Sequence, residues 1–273
     1  MRNPVQNGMI SAANLPQSGE PKGRERMRKG FFIAAVSAAV LLAAGAVCFL
    51  LWQEGLLVPN RPSKERFPVR GVDVSAHQGE IDWPVLAGQD LSFAFVKATE
   101  GSSFTDARFA ENWEEAHSCG LRVGAYHFFS FDSSGEAQAA HFIKTVPKRQ
   151  GDLPPVVDVE FYGDKEQNPP SREDVEAQLV PLLTRLTEHY GVKPILYSTG
   201  KVYKRYLSGG YEDYDIWIRD VFFTPSLPDG RAYAFWQYSD KGRLSGYQGK
   251  EKCIDLNVFC GTEEEFWRYG VQP

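Results

Sequence analysis

The heptapeptide Pro154-Pro155-Val156-Val157-Asp158-Val159-Glu160 sets the frame for the whole chain. Its apolar run reads as a short buried strand, and its two acids stand at alternate positions. Successive side chains of a strand point to opposite faces, so both carboxylates share one face while Val157 and Val159 pack on the other. An apolar strand that ends in acid is what a parallel barrel presents at its reactive mouth.

Working outward, similar runs rich in Val, Ile, Phe and Tyr recur at 69–74, 91–98, 122–129, 155–160, 194–198, 214–218, 232–238 and 254–259. Amphipathic helical patterns separate the earlier ones: 107–118 carries Phe109, Trp113 and Ala116 on one face, and 135–145 carries Ala139 and Phe142. The clearest helix spans 172–190, opened by Ser171 as cap and closed by Gly191, with Pro181 expected to kink or divide it. Helical patterns fade after about residue 205. Strand and helix in alternation imply an α/β fold with a parallel sheet. Eight strands without a Gly-rich phosphate fingerprint favour closure into a shortened TIM-like barrel over an open doubly wound sheet.

Ahead of this domain (69–273) the chain divides into a basic tail (1–30), the uncharged run FFIAAVSAAVLLAAGAVCFLLW (31–52) and a proline-containing linker (53–68). At about 1.5 Å per residue the run is long enough to cross a bilayer, and it is too long for the apolar core of a signal peptide. Lys22, Arg24, Arg26, Arg28 and Lys29 before it favour a cytoplasmic N-terminus, a single pass and an extracytoplasmic domain. Pro59, Pro62 and Pro68 predict an extended bridge.

The whole chain carries −5, but residues 1–68 hold 9 Lys/Arg against 4 Asp/Glu, leaving 21 of the 30 basic and 31 of the 35 acidic residues in the domain, a net −10. That excess argues against nucleic acid as a partner, since such binding neutralises phosphates with Lys and Arg. Cys119, Cys253 and Cys260 cannot all pair within one chain; Cys253 and Cys260 either close a small loop or join Cys119 as buried thiols. The spacing suggests no metal, and no cofactor is expected.

Two carboxylates in a partly dry site cannot both ionise cheaply, so one stays protonated near neutral pH beside a charge stabiliser. Glycosidic bond cleavage needs that pairing. Asp73 repeats the pattern on the first strand. Tyr126, Tyr197, Trp217, Trp236 and Tyr238, near strand ends, serve either to stack on sugars or to pack the core. Lys97 is expected to face the acids and to pair with Glu100 at the rim. His77 and His127 either bond to the carboxylates or act as structural groups, the second being favoured.

The segments RGVDVSAHQGEIDW, FAFVKATEGSSFTDARFAENWEEAHSCGLRVGAYHFF, PPVVDVE, KPILYST, YDIWIRD, AFWQYS and IDLNVF resemble, in order and spacing, the glycoside hydrolase family 25 lysozymes over residues 69 to about 268. The resemblance implies a (β/α)5(β)3 barrel and N-acetylmuramidase activity on peptidoglycan glycan strands. It implies Glu160 as general acid, Asp158 as the adjacent carboxylate that supports the charge or the substrate's acetamido group, and Asp73 and Asp255 as further acids of the site. A non-catalytic glycan-binding module and a hydrolase of another polysaccharide are the alternatives.

Overall fold

The computed structural model describes residues 22–270, so most of the basic tail, residues 1–21, lies outside the described residues. The described residues fall into two units divided between Phe49 and Leu50. The first is dominated by helix α1 (Lys22–Gln53), which is long and apolar enough to cross a membrane. Its apolar side chains are exposed all round, Phe31, Phe32, Leu41 and Leu42 among them.

In the second unit, β1 (Arg70–Val74), β2 (Phe93–Glu100), β4 (Arg122–Phe128), β5 (Val156–Val159), β6 (Ile195–Thr199), β7 (Ile216–Arg219), β8 (Phe235–Gly242) and β9 (Ile254–Phe259) pair in that order. The pairing of β9 with β1 closes the ring. The short β3 (Phe104–Thr105) is an antiparallel appendage on the end of β2. Helices α2 (Trp83–Ala87), α3 (Phe109–Ser118), α4 (Gly135–Thr145), α5 (Arg172–Tyr190) and α6 (Gly200–Val202), which runs on into a π turn, follow the first five ring strands; α7 (Glu263–Arg268) follows β9. This is the (β/α)5(β)3 arrangement. One expectation fails: β9 runs antiparallel to both β8 and β1, so the sheet is not wholly parallel. Pro181 does not divide α5, which is one helix from its Ser171 cap to the left-handed Gly191. All of the cysteines are free thiols, so Cys253 and Cys260 do not form the loop.

Alternation along the strands produces two cores. Inward positions Phe93, Phe95, Val156, Ile195, Trp217, Phe235 and Phe259 fill the barrel, and Phe266 of α7 plugs its base. Gly71 and Gly124 make room for this filling, because a Cβ there would stand 2.4 Å and 2.6 Å from the rings of Phe93 and Phe95. Outward positions such as Val72, Val96, Val157 and Leu196 pack against the helices.

Among the described residues no helix covers the outer faces of β8 and β9, and the segment after α1 takes that place. Phe67 is buried with its ring 5.7 Å from Trp236, Val58 packs on the same core, Asn60 Nδ2 donates to Asp220 O (3.0 Å), and Arg70 donates to Pro62 O (2.7 Å). The 53–68 linker is thus docked along the barrel, with turns at 54–55, 59–60 and 64–66 where the prolines predict an extended bridge. Phe67→Ala is expected to cost about 3 kcal/mol of unfolding free energy through the cavity it leaves over Trp236. Denaturant titration of the full chain measures it; a change within error would mean the segment only lies on the surface.

Candidate active site

The C-terminal ends of the parallel strands and the N-terminal end of β9 meet at one mouth. Inward positions there are polar: Asp73 on β1, Lys97 on β2, Tyr126 on β4, Asp158 with Glu160 just past β5, Tyr197 on β6, Arg219 on β7, Gln237 on β8 and Asp255 on β9. They line a cleft of ≈ 230 Å³ together with Ser75, His77, Phe128, Trp217 and Asp240. Tyr126, Tyr197, Trp217 and Lys97 are therefore brought to the four acids.

Asp73 is the most tightly held acid. Its Oδ2 accepts from Asn257 Nδ2 (2.7 Å) and Gln237 Nε2 (2.9 Å). The amides are themselves oriented, because Trp217 Nε1 donates to Asn257 Oδ1 (2.8 Å) and the Tyr197 hydroxyl donates to Gln237 Oε1 (2.8 Å). An indole N–H can only donate, so the Asn257 amino group must face Asp73. Asp255 is the register partner of Asp73 across β1 and β9. Burial and the Asp73 charge push Asp255 well above the usual carboxylate range; Asp73, raised by burial, is drawn back by the amide hydrogen bonds and by Asp255. Asp255 thus holds the proton between them and Asp73 the charge.

Burial also raises Asp158 well above its ordinary range; the neighbouring Glu160 adds to this and Lys97 opposes it. Its Oδ1 is buried and makes no hydrogen bond among the described residues. Glu160 is raised to about 7, first by burial and then by Asp73, against the pull of Arg219. The two cations are partly spent, Lys97 on Glu100 (2.8 Å) and Arg219 on Asp240 (2.5 Å). The site therefore carries protons at neutral pH: an acid able to donate stands beside an unpaired carboxyl oxygen.

Some expected residues lie elsewhere, and strand parity is the reason. Trp236 and Tyr238 occupy the outward positions flanking Gln237; Trp236 Nε1 donates to Asp220 O (2.9 Å) and the Tyr238 hydroxyl takes a bond from Arg70 (3.4 Å). His127 faces outward too, fully buried between Thr99 (2.7 Å) and Gln138 (3.0 Å), with burial lowering its pKa to about 4, so it is a neutral structural group. Glu100 sits at the rim, outside the cleft lining. Trp217 borders the cleft without offering it a ring face: Phe95 stacks on it at 4.5 Å and Tyr197 meets it edge-on at 4.5 Å. Arg219, Asp240, Gln237 and Asn257 escaped the sequence reading, although counting by two from Trp217, Phe235 and Asp255 along their strands reaches three of them.

The description glycosyl hydrolases family 25 matches residues 72–247. A family 25 glycosyl hydrolase from Bacillus anthracis has the same fold, with a TM-score of 0.74 and 54% identity, covering 78% of this chain and 98% of its own. The uncharacterized protein YegX of Escherichia coli O157:H7 is 38% identical over 204 residues, 73% of this chain and 72% of that protein. Lysozyme M1 of Streptomyces globisporus is 31% identical over 210 residues, 71% of this chain and 68% of its own length. The acid-lined mouth, the (β/α)5(β)3 ring and this match across the barrel agree: the chain belongs to glycosyl hydrolases family 25 and is a glycoside hydrolase.

Proposed function

We propose that the barrel hydrolyses the β-1,4 bond between N-acetylmuramic acid and N-acetylglucosamine in peptidoglycan, with Glu160 as general acid. The observation that carries this reading is an acid at the end of β5 whose pKa is raised to about 7 beside the orphaned oxygen of Asp158. Protonated Glu160 gives its proton to the glycosidic oxygen, the bond to the anomeric carbon breaks, and the leaving sugar departs as an alcohol. Positive charge then develops at that carbon. It favours the ionised form of Asp158, whose free oxygen supports either the charge directly or the substrate's acetamido group. Water supplies the hydroxyl that ends at the anomeric carbon and returns a proton to Glu160. The Asp73–Asp255 pair supplies a fixed negative charge below the reaction centre, and its amide frame keeps Tyr197 in place. Tyr126 and Lys97 border the sugar.

Lysozyme M1 supports the substrate class by its name. Helix α1 supports the reading of a membrane anchor whose N-terminal basic flank stays in the cytoplasm and whose barrel works outside. Mass analysis of products from purified peptidoglycan tests the bond: new reducing ends of N-acetylmuramic acid are expected. Reducing N-acetylglucosamine ends would assign the other linkage, and digestion of chitin oligomers in preference to peptidoglycan would assign another polysaccharide.

A further inference from the structure

The segment that leads from α1 into the barrel does not attach at an arbitrary place. Glu54 pairs with Arg243 (2.7 Å), and Asn60 Nδ2 donates to both Asp220 O (3.0 Å) and Phe223 O (3.2 Å). Gly55 lies so close to β8 that a Cβ would stand 2.1 Å from Lys241 O. Asp220 directly follows the cleft residue Arg219, and Lys241 directly follows the cleft residue Asp240. The chain therefore enters this unit at the mouth end of the barrel.

At the same end four large apolar side chains face outward: Leu56 (68% exposed), Leu57, Phe222 and Phe223 (74% exposed). They belong together, because Trp52 and Asn60 flank the two leucines in sequence while Trp52 packs on Phe222 at 5.5 Å and Asn60 binds the backbone of Phe223. Isolated exposed apolar residues are ordinary, but a contiguous group marks an interaction surface. Leu56 is three residues beyond the last residue of a helix of membrane-spanning length. A covalent tether that short keeps Leu56 within about 10 Å of the end of that helix by chain length alone.

We infer that the Leu56–Leu57–Phe222–Phe223 face rests on the lipid surface, so that the cleft opens beside the bilayer and works on uncrosslinked, lipid-linked glycan strands. This rests on the muramidase reading and the anchor, and deepens both. The docked bridge prevents the barrel from reaching outward on a flexible lead. Large aromatic rings next to a helix exit suit the interfacial zone, where their area is desolvated beside headgroups.

The test uses the full chain in vesicles of phosphatidylethanolamine and phosphatidylglycerol, with p-benzoylphenylalanine in place of Phe223 or, as control, of Trp267. Trp267 is also exposed but belongs to α7, at the base of the barrel. On irradiation, lipid adducts at position 223 and none at 267 are expected. No lipid adduct at 223, equal adducts at both, or capture of a second copy of the chain at 223 would overturn the inference. A second arm compares the parent with Phe222→Ser/Phe223→Ser. Its rate on soluble glycan fragments should stay unchanged while its rate on lipid-linked strands in the vesicles falls severalfold; equal rates on both would refute the placement. Parent protein inactive on every glycan would instead refute the proposed activity, which the crosslinking arm does not depend on.

Discussion

Replacing Glu160 with Gln is expected to lower the rate of glycan hydrolysis by about a thousandfold, roughly 4 kcal/mol of transition-state stabilisation, while the protein folds as before. The amide has the shape of the acid and lacks the proton. Burial, with help from Asp73, keeps that proton on Glu160 up to about pH 7, so the parent's kcat/KM should hold on the acid side of that value and fall tenfold per pH unit well above it. The direction follows from the required form: a general acid works only when protonated, and rising pH removes the proton. Arg219, paired with Asp240 at the rim, is the opposing influence, since its positive charge favours the ionised form. Arg219→Met should therefore move the alkaline limb to higher pH. Rates across pH 5–9 on purified peptidoglycan measure both effects. A Glu160→Gln enzyme with more than a tenth of the parent rate would remove this residue from the role, and an unmoved limb in Arg219→Met would sever the electrostatic link.

The sequence carried the ring of strands well because each strand is a short apolar run bounded by turns, and parallel strands buried on both faces make such runs conspicuous. All of the ring strands lie where the runs predict them, and α4 and α5 match their patterns to the residue. Direction was harder to read. IDLNVF alternates apolar with polar residues, a pattern that fits a strand of either direction, and only the pairings with β8 and β1 reveal that β9 runs the other way. That pairing also brings Asp255 opposite Asp73, a contact between residues far apart in the chain that periodicity cannot supply. Trp236 and Tyr238 show the cost of naming residues by type: a one-residue step along β8 exchanges the cleft for the outer core. Their true cover, the 53–68 segment, reads as a spacer because prolines without helical periodicity look the same whether the chain hangs free or lies along a surface. Acid chemistry was the most legible part, since burying two carboxylates directly after an apolar run is costly and is tolerated chiefly where their protons or charges are used.

Asp158→Asn is expected to have two opposed effects, and their combination distinguishes a functional acid from a structural one. Hydrolysis should fall about a hundredfold, the scale of losing one well-placed charge stabiliser, because the neutral amide cannot answer positive charge at the anomeric carbon. Stability near neutral pH should rise by about 1 kcal/mol or more. The sign follows from proton binding. Burial and Glu160 raise the folded-state pKa of Asp158 well above the ordinary value of 3.8, which an unfolded chain approaches. Below that ordinary value both states are protonated and the carboxyl costs nothing in this respect. As pH rises past it, the unfolded state ionises first, stability drains away, and the loss continues until the folded-state pKa is passed. Asn does not titrate, so the variant should lack that part of the decline, and the difference between variant and parent should vanish in acid. Thermal unfolding of the two full chains from pH 3 to pH 8, beside their rates on peptidoglycan, measures the pair of effects. An Asp158→Asn protein that is both less stable at neutral pH and fully active would show that the orphaned oxygen is held for packing, and the charge-supporting role would pass to Asp73, whose amide bonds already favour its ionised form.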